Sequence, residues 1–191
     1  MEILARREDE VNREQLSHVL RAASRIADDP EMIVIGSQAI LGSFKDTELP
    51  FEATRSMEVD LAFRNDTDDH KSDLVDGSIG ELSSFHEKFG YYAQGVSMAT
   101  AVVPLGWHDR LVAYGEEDSL PSRATCLDPH DLVVSKLVAG RQKDIEFAKA
   151  LLESGLISAS LLVERAELLD MPRAVINRVR SAIIRVSTSF N

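Results

Sequence analysis

The chain has a single cysteine, Cys126, so no disulfide can close within it and no cysteine cluster can hold a metal. Nothing around that thiol marks it as activated, and it reads as a small apolar residue in a strand. Long hydrophobic runs are missing as well: none approaches the roughly 18 residues that a membrane span needs. The opening "MEILARREDE" lacks the apolar stretch of a signal peptide. These absences point to a soluble, cytoplasmic protein without a membrane partner. Positive charge is also scarce, with 21 Lys and Arg against 32 Asp and Glu and a net charge of −11. That balance opposes non-specific nucleic-acid binding, which depends on neutralising phosphates. The late arginines, Arg173, Arg178, Arg180 and Arg185, are spaced as a solvated helix face.

What is present is enough for one domain, since 191 residues bury a core without covalent staples. From about Asp9 to Asp28, apolar residues at Val11, Leu16, Val19, Leu20, Ala23 and Ile26 predict an amphipathic helix that stops before Pro30. "MIVIG" (Met32–Gly36) reads as a short strand buried on both faces, and "SQAILGSF" as a short helix with Ser37 at or beside its N-cap. "KDTELPFEATR" reads as a loop. "MEVDLAF" (Met57–Phe63) alternates, with Met57, Val59 and Leu61 on one face and Glu58 and Asp60 on the other. An acidic turn, "RNDTDDHKSD", leads to a helix near Leu74–Leu82. Strand-like runs follow at Tyr91–Ser97, Thr100–Trp107, "RLVAYGE" and "RATCLD", with Pro104 expected at a strand end or edge.

From Asp128 the pattern turns helical: a helix with Pro129 in its first turn, a break near Gly140, a second helix, then "SASLLVERAELL" and "RAVINRVRSAIIRVS" on either side of Pro172. The order predicts an α+β protein. Residues 1–127 form the α/β core and 128–191 a helical portion packed on it as a single compact unit.

Alternate residues of a strand point the same way, so Glu58 and Asp60 project side by side. A hard divalent cation resolves the repulsion between two such carboxylates, and Mg²⁺ takes one or two carboxylates plus substrate phosphates. The Gly36-Ser37 turn supplies the complement, because free backbone N–H groups at a helix start can hold a phosphate. A Gly-Ser at the end of one strand followed by D/E-x-D on the next resembles the nucleotidyltransferase superfamily, with its mixed sheet flanked by helices. Leu127–Ile157 is similar to the helical segment of nucleotidyltransferases related to the AbiEii-type toxins, where a lysine, an arginine and a lysine-aspartate pair stand beside the site. Here these are Lys136, Arg141, Lys143 and Asp144.

The resemblance implies Mg²⁺ on Glu58 and Asp60, and a nucleoside triphosphate at Gly36, Ser37, Lys136 and Arg141. Glu58, Asp60, Lys136 and Asp144 then serve catalysis. The implied activity is transfer of a nucleotidyl group to a hydroxyl on RNA, protein or a small molecule. The alternative is a catalytically degenerate nucleotide- or partner-binding protein, such as one member of a toxin–antitoxin pair. Two departures stand out: Glu58 replaces the usual first aspartate, and the insert "KDTELPFEATR" lengthens the gap after Ser37. The third carboxylate has Asp144, Asp109 and Asp131 as candidates, in that order.

Other residues read as structural. His108 and Asp109 are adjacent and would point to opposite strand faces, Trp107 is a core or rim aromatic, and His130 belongs to a helix start. Tyr91 and Tyr92 read as sheet packing rather than as a platform for a base. "RNDTDDH" lacks the glycine and final glutamate of an EF-hand loop.

Overall fold

The computed structural model describes residues 11–115 and 123–188. The opening decapeptide and the first residues of the predicted N-terminal helix lie outside them. Helix α1 (Arg13–Ala27) starts in a capping box, where the Asn12 side chain accepts from the Gln15 N–H and Gln15 reaches back to the Asn12 N–H. It buries Leu16, Val19, Leu20 and Ala23 and ends at Asp28, which adopts the left-handed conformation. Strand β1 (Met32–Val34) is buried along its whole length, as its unbroken apolar run requires.

Past β1 the residues Ser37–Gly42 form a 3₁₀ turn rather than an α-helix, with Gly36 at the cap position. The insert, expected as a loop, folds into a 3₁₀ turn at Asp46–Glu48 and the one-turn helix α2 (Phe51–Thr54). Strand β2 (Glu58–Phe63) buries Val59 and Leu61 and leaves Glu58 and Asp60 half-buried on the opposite face. Helices α3 (His70–Ile79) and α4 (Ser84–Phe89) precede β3 (Tyr92–Gly95). The acidic turn caps α3: Asp66 accepts from the N–H groups of Lys71 and Ser72 and from the Ser72 hydroxyl.

Thr100–Trp107, expected as a strand, is not one. It runs between 3₁₀ turns at Met98–Thr100 and Trp107–Arg110 as a strap. Pro104 has no N–H to give a ladder, and its carbonyl accepts from Trp107 and Arg110 instead. Long-range ties hold the strap. Arg110 Nε donates to the fully buried Asp131 at 2.7 Å, and the Leu105 N–H donates to the Leu168 carbonyl at 2.8 Å. Strands β4 (Val112–Ala113) and β5 (Thr125–Cys126) complete a five-stranded mixed sheet of order β3-β2-β1-β5-β4. In it β2 is antiparallel to β1, while β3 runs parallel to β2 and β5 parallel to β1.

The C-terminal portion comprises α5 (Pro129–Ala139), α6 (Gln142–Glu153), α7 (Ala159–Glu167) and α8 (Arg173–Thr188). Asp128 caps α5, with Pro129 in the first turn. Gly140 closes the helix at φ +66°, a conformation glycine adopts without strain. One hydrophobic core runs from Val11 through the sheet to Ile183 on α8. Among the late arginines, Arg173 and Arg180 pair with Glu167, and Arg178 donates to the Val138 carbonyl, so they tie helices together. No helix among the described residues is long and apolar enough to cross a membrane.

Candidate active site

The end of β1 and the start of β2 lie side by side, and just past β1 Gly36 packs directly against Asp60. A methyl group there would overlap the Asp60 carboxylate and lie 2.9 Å from Asp60 Cβ. Gly36 has φ −84°, which any residue can adopt, so the glycine is needed for space and not for backbone freedom. Its position presses the Gly-Ser turn against the acidic face of β2.

Glu58 and Asp60 share that face, as strand alternation requires. Glu58 is pushed up from its ordinary range to about 7, first by burial, then by the Asp60 charge and a hydrogen bond to Asp60; Lys143 and Arg141 pull the other way. A raised carboxylate stabilises the folded state fully below its ordinary pKa and loses that contribution as pH rises through the folded value. Without divalent cations, the melting temperature of the wild type should therefore fall relative to Glu58→Gln between about pH 4.5 and 7. Parallel melting curves for the two proteins in EDTA across that window would contradict the pairing.

Opposite the carboxylates stands a group of cations. Lys136, in the last turn of α5, is nearly buried and donates from Nζ to Ser37 Oγ at 2.9 Å. Its Nζ is 3.5 Å from Asp144 Oδ1 and 4.8 Å from the centroid of the Phe147 ring. Burial pulls the Lys136 pKa down, and the Asp144 and Asp60 charges oppose this. Asp144 is fully buried in the first turn of α6, where Oδ2 accepts from the Arg141 N–H at 3.1 Å and from Arg141 Nε at 2.9 Å. One carboxylate thus fixes both cations and starts its own helix. Arg141 is raised chiefly by Asp144, with Asp60 and Glu58 contributing. A cavity of about 150 Å³ opens beside Ser37 and Lys136, lined also by Glu52, Arg55, Ser56, Lys143, Glu146 and Phe147.

The structure therefore brings Gly36, Ser37, Glu58, Asp60, Lys136, Arg141, Lys143 and Asp144 into one neighbourhood. It separates the other third-carboxylate candidate that is charge-paired, because Asp131 lies between Arg110 and Arg165. Asp109 sits on the strap's 3₁₀ turn, where the neighbouring His108 stacks on Trp107 at 3.6 Å; both aromatic residues line a different cavity, of about 240 Å³. Among the described residues no three His, Cys, Asp or Glu side chains are grouped to hold a metal. His130 accepts from the Ser158 N–H and stays at its helix start. Cys126 is fully buried, and burial pushes its thiol up to about 12.

Two neighbours of the site carry no local sequence signal. Tyr92 pairs with Glu58 across the parallel β2–β3 ladder and is pushed up to about 12, by burial first and then by the charges of Glu58, Glu81 and Asp60. Tyr91, one residue earlier, points into the core and hydrogen-bonds His18 at 2.8 Å. Only the strand's phase separates the two tyrosines. Arg55 arrives on the insert, which the sequence pattern leaves as a loop.

A mixed sheet flanked by helices, with paired carboxylates facing a Gly-Ser turn, is the arrangement of a nucleotidyltransferase. The chain belongs to a family described as nucleotidyltransferase of unknown function (DUF6036), whose model matches residues 14–181. No curated protein and no solved structure matches it.

Proposed function

We propose that the protein transfers a nucleotidyl group from a nucleoside triphosphate to an acceptor hydroxyl, with Mg²⁺ held by Glu58 and Asp60. The observation that carries this reading is the contact of Gly36 with Asp60, which sets the Gly-Ser turn directly against the carboxylate pair. The pair suits a cation: it is crowded enough to retain a proton near neutral pH, and a divalent ion would replace that proton. Mg²⁺ bound there would supply positive charge to the phosphoryl oxygens.

The remaining work falls to the chain's own groups. The Ser37 hydroxyl and the Lys136 ammonium are already joined, and together they present donors to the triphosphate. Lys136, Lys143 and Arg55 line a space of about 150 Å³, and with Arg141, held by Asp144 nearby, they would offset negative charge on the departing pyrophosphate. Asp144 positions Lys136 and Arg141 without touching the substrate. The acceptor would approach from the β3 side, where Tyr92 adjoins Glu58 and its ring lies tilted against His86 at 4.6 Å between centroids. The net charge of −11 favours a protein or small-molecule hydroxyl over RNA.

The test is incubation of the protein and Mg²⁺ with each ribonucleoside triphosphate, labelled at the α- or the γ-phosphate, in the presence of cellular RNA, protein and metabolites. Label from the α-phosphate alone should enter one fraction, and Asp60→Asn should remove it. Label from the γ-phosphate would instead indicate phosphoryl transfer. A second reading, nucleotide or partner binding without turnover as in one half of a toxin–antitoxin pair, draws on Glu58 standing in the first position. It predicts nucleotide binding that persists without Mg²⁺, with no α-label transferred, and a companion gene beside this one.

A further inference from the structure

Three successive residues of the turn after β1 each reach a different part of the site. Gly36 packs on Asp60, and Ser37 is joined to Lys136. Gln38, next in line, is fully buried, and its Nε2 donates to the Ser56 carbonyl at 2.9 Å. Ser56 stands where the insert returns to β2. Its hydroxyl accepts from the Glu58 N–H at 3.2 Å, and it lines the cavity of about 150 Å³ with Ser37 and Arg55. The ladder between β1 and β2 does not reach that far. It pairs Val34 with Leu61, and the Ile35 N–H adds a bond to the Asp60 carbonyl at 3.1 Å, so Glu58 lies beyond it. Asp60 is therefore fixed against the turn by the sheet, whereas Glu58 is tied to the turn through Gln38 and Ser56. The Val11 N–H also donates to the Ser56 carbonyl, but from a segment outside the turn.

The Gln38 amide stands there at a cost. Its Oε1 is buried without a hydrogen-bond partner among the described residues, and a buried acceptor left unpaired is destabilising. A methionine would fill the same space without that oxygen, so the fold alone gains little from the amide. We propose that Gln38 is a positioning residue. It clamps the returning end of the insert to the turn and so holds Glu58 at a fixed reach from Ser37. This rests on the reading of Glu58 and Asp60 as a cation site. The clamp also explains how the site tolerates the insert, since the length of chain between Ser37 and Glu58 no longer sets where Glu58 stands.

The experiment compares wild type, Gln38→Met, Ser56→Ala, Glu58→Gln and the double variant Gln38→Met with Glu58→Gln, with melting temperatures measured alongside. The first readout is amide hydrogen exchange without divalent cations. Gln38→Met should speed exchange across residues 55–58 and leave 32–34 and 61–63 as in wild type. The second is titration with Mn²⁺ alone, read by the electron paramagnetic resonance signal of the free ion. Gln38→Met should bind Mn²⁺ about tenfold more weakly, as loss of a partner behind the ligands commonly does, and Ser56→Ala should weaken it in the same sense. The double variant should bind no more weakly than Glu58→Gln, because Gln38 acts through that carboxylate. If Gln38→Met melts below the assay temperature, Ser56→Ala breaks the same link at its far end and carries both readouts. Additive losses in the double variant would overturn the proposal. So would unchanged Mn²⁺ affinity in the folded variant that carries the test, or faster exchange throughout β1 and β2, which would make Gln38 a packing residue. Wild-type protein that binds no Mn²⁺ would overturn the cation site and the clamp's function with it, whereas the other failures leave wild-type binding intact.

Discussion

Gly36→Ala should lower nucleotidyl transfer by about 100-fold or more while leaving the fold intact, since displacing a reacting group by about 1 Å can cost that much. Alanine accepts the backbone angles at position 36, so the effect cannot come from strain in the turn. It comes from the added methyl, which takes the volume of the Asp60 carboxylate. Either Asp60 swings away from Glu58 or β1 and β2 part, and both outcomes separate the carboxylates from Ser37. A matching substitution at Gly77 is the control. That glycine lies in α3 with nothing within 4 Å of an added Cβ. Gly77→Ala should raise stability by about 0.5–1 kcal/mol and leave transfer unchanged. Transfer assays and urea melts on the two variants separate the effects, and wild-type transfer in Gly36→Ala would refute the close approach as a functional feature.

The second large effect divides Lys136 from Asp144. Asp144→Ala removes a fully buried carboxylate with two cationic partners and leaves Lys136 nearly buried without its counter-charge. Breaking a buried pair in this way costs about 3–5 kcal/mol, a large share of the roughly 5–15 kcal/mol that holds a domain together. Lys136→Met should cost less, about 1–3 kcal/mol, because Asp144 keeps its two bonds from Arg141. Transfer should behave in the opposite sense: Lys136→Met should lose about 100- to 1,000-fold, as expected when a group that stabilises developing charge is removed. The discriminating result is a Lys136→Met protein that is folded at the assay temperature and inactive. Equal destabilisation of both variants with activity retained in Lys136→Met would make the lysine a structural residue only.

The sheet's two central strands and the paired carboxylates were legible because their signals are local. An unbroken apolar run marks β1, alternation marks β2, and the same alternation sets Glu58 and Asp60 on one face. Helices α5 and α6 were legible for the same reason, down to the break at Gly140. Association of those helices with Gly36 and Ser37 came only through the family resemblance, since no spacing shows that Lys136 reaches Ser37 across the chain.

Elements fixed by distant contacts were misread. The β-branched run before Pro104 looks like a strand, yet its path is set by Asp131 and Leu168, which lie far along the chain. The insert looks like a loop because one turn of helix carries no periodicity, although it delivers Arg55 to the cleft. Tyr92 was hidden by strand phase, because a register one residue away would have put Tyr91 beside Glu58 instead.

The most direct measurement of the central claim is isothermal titration calorimetry of the four ribonucleoside triphosphates, with and without Mg²⁺, on wild type and Asp60→Ala. Binding of at least one nucleotide should require Mg²⁺ and vanish in Asp60→Ala. Absence of binding by every nucleotide under both conditions, in protein shown to be folded, would contradict a metal–triphosphate site at Gly36, Ser37, Glu58 and Asp60.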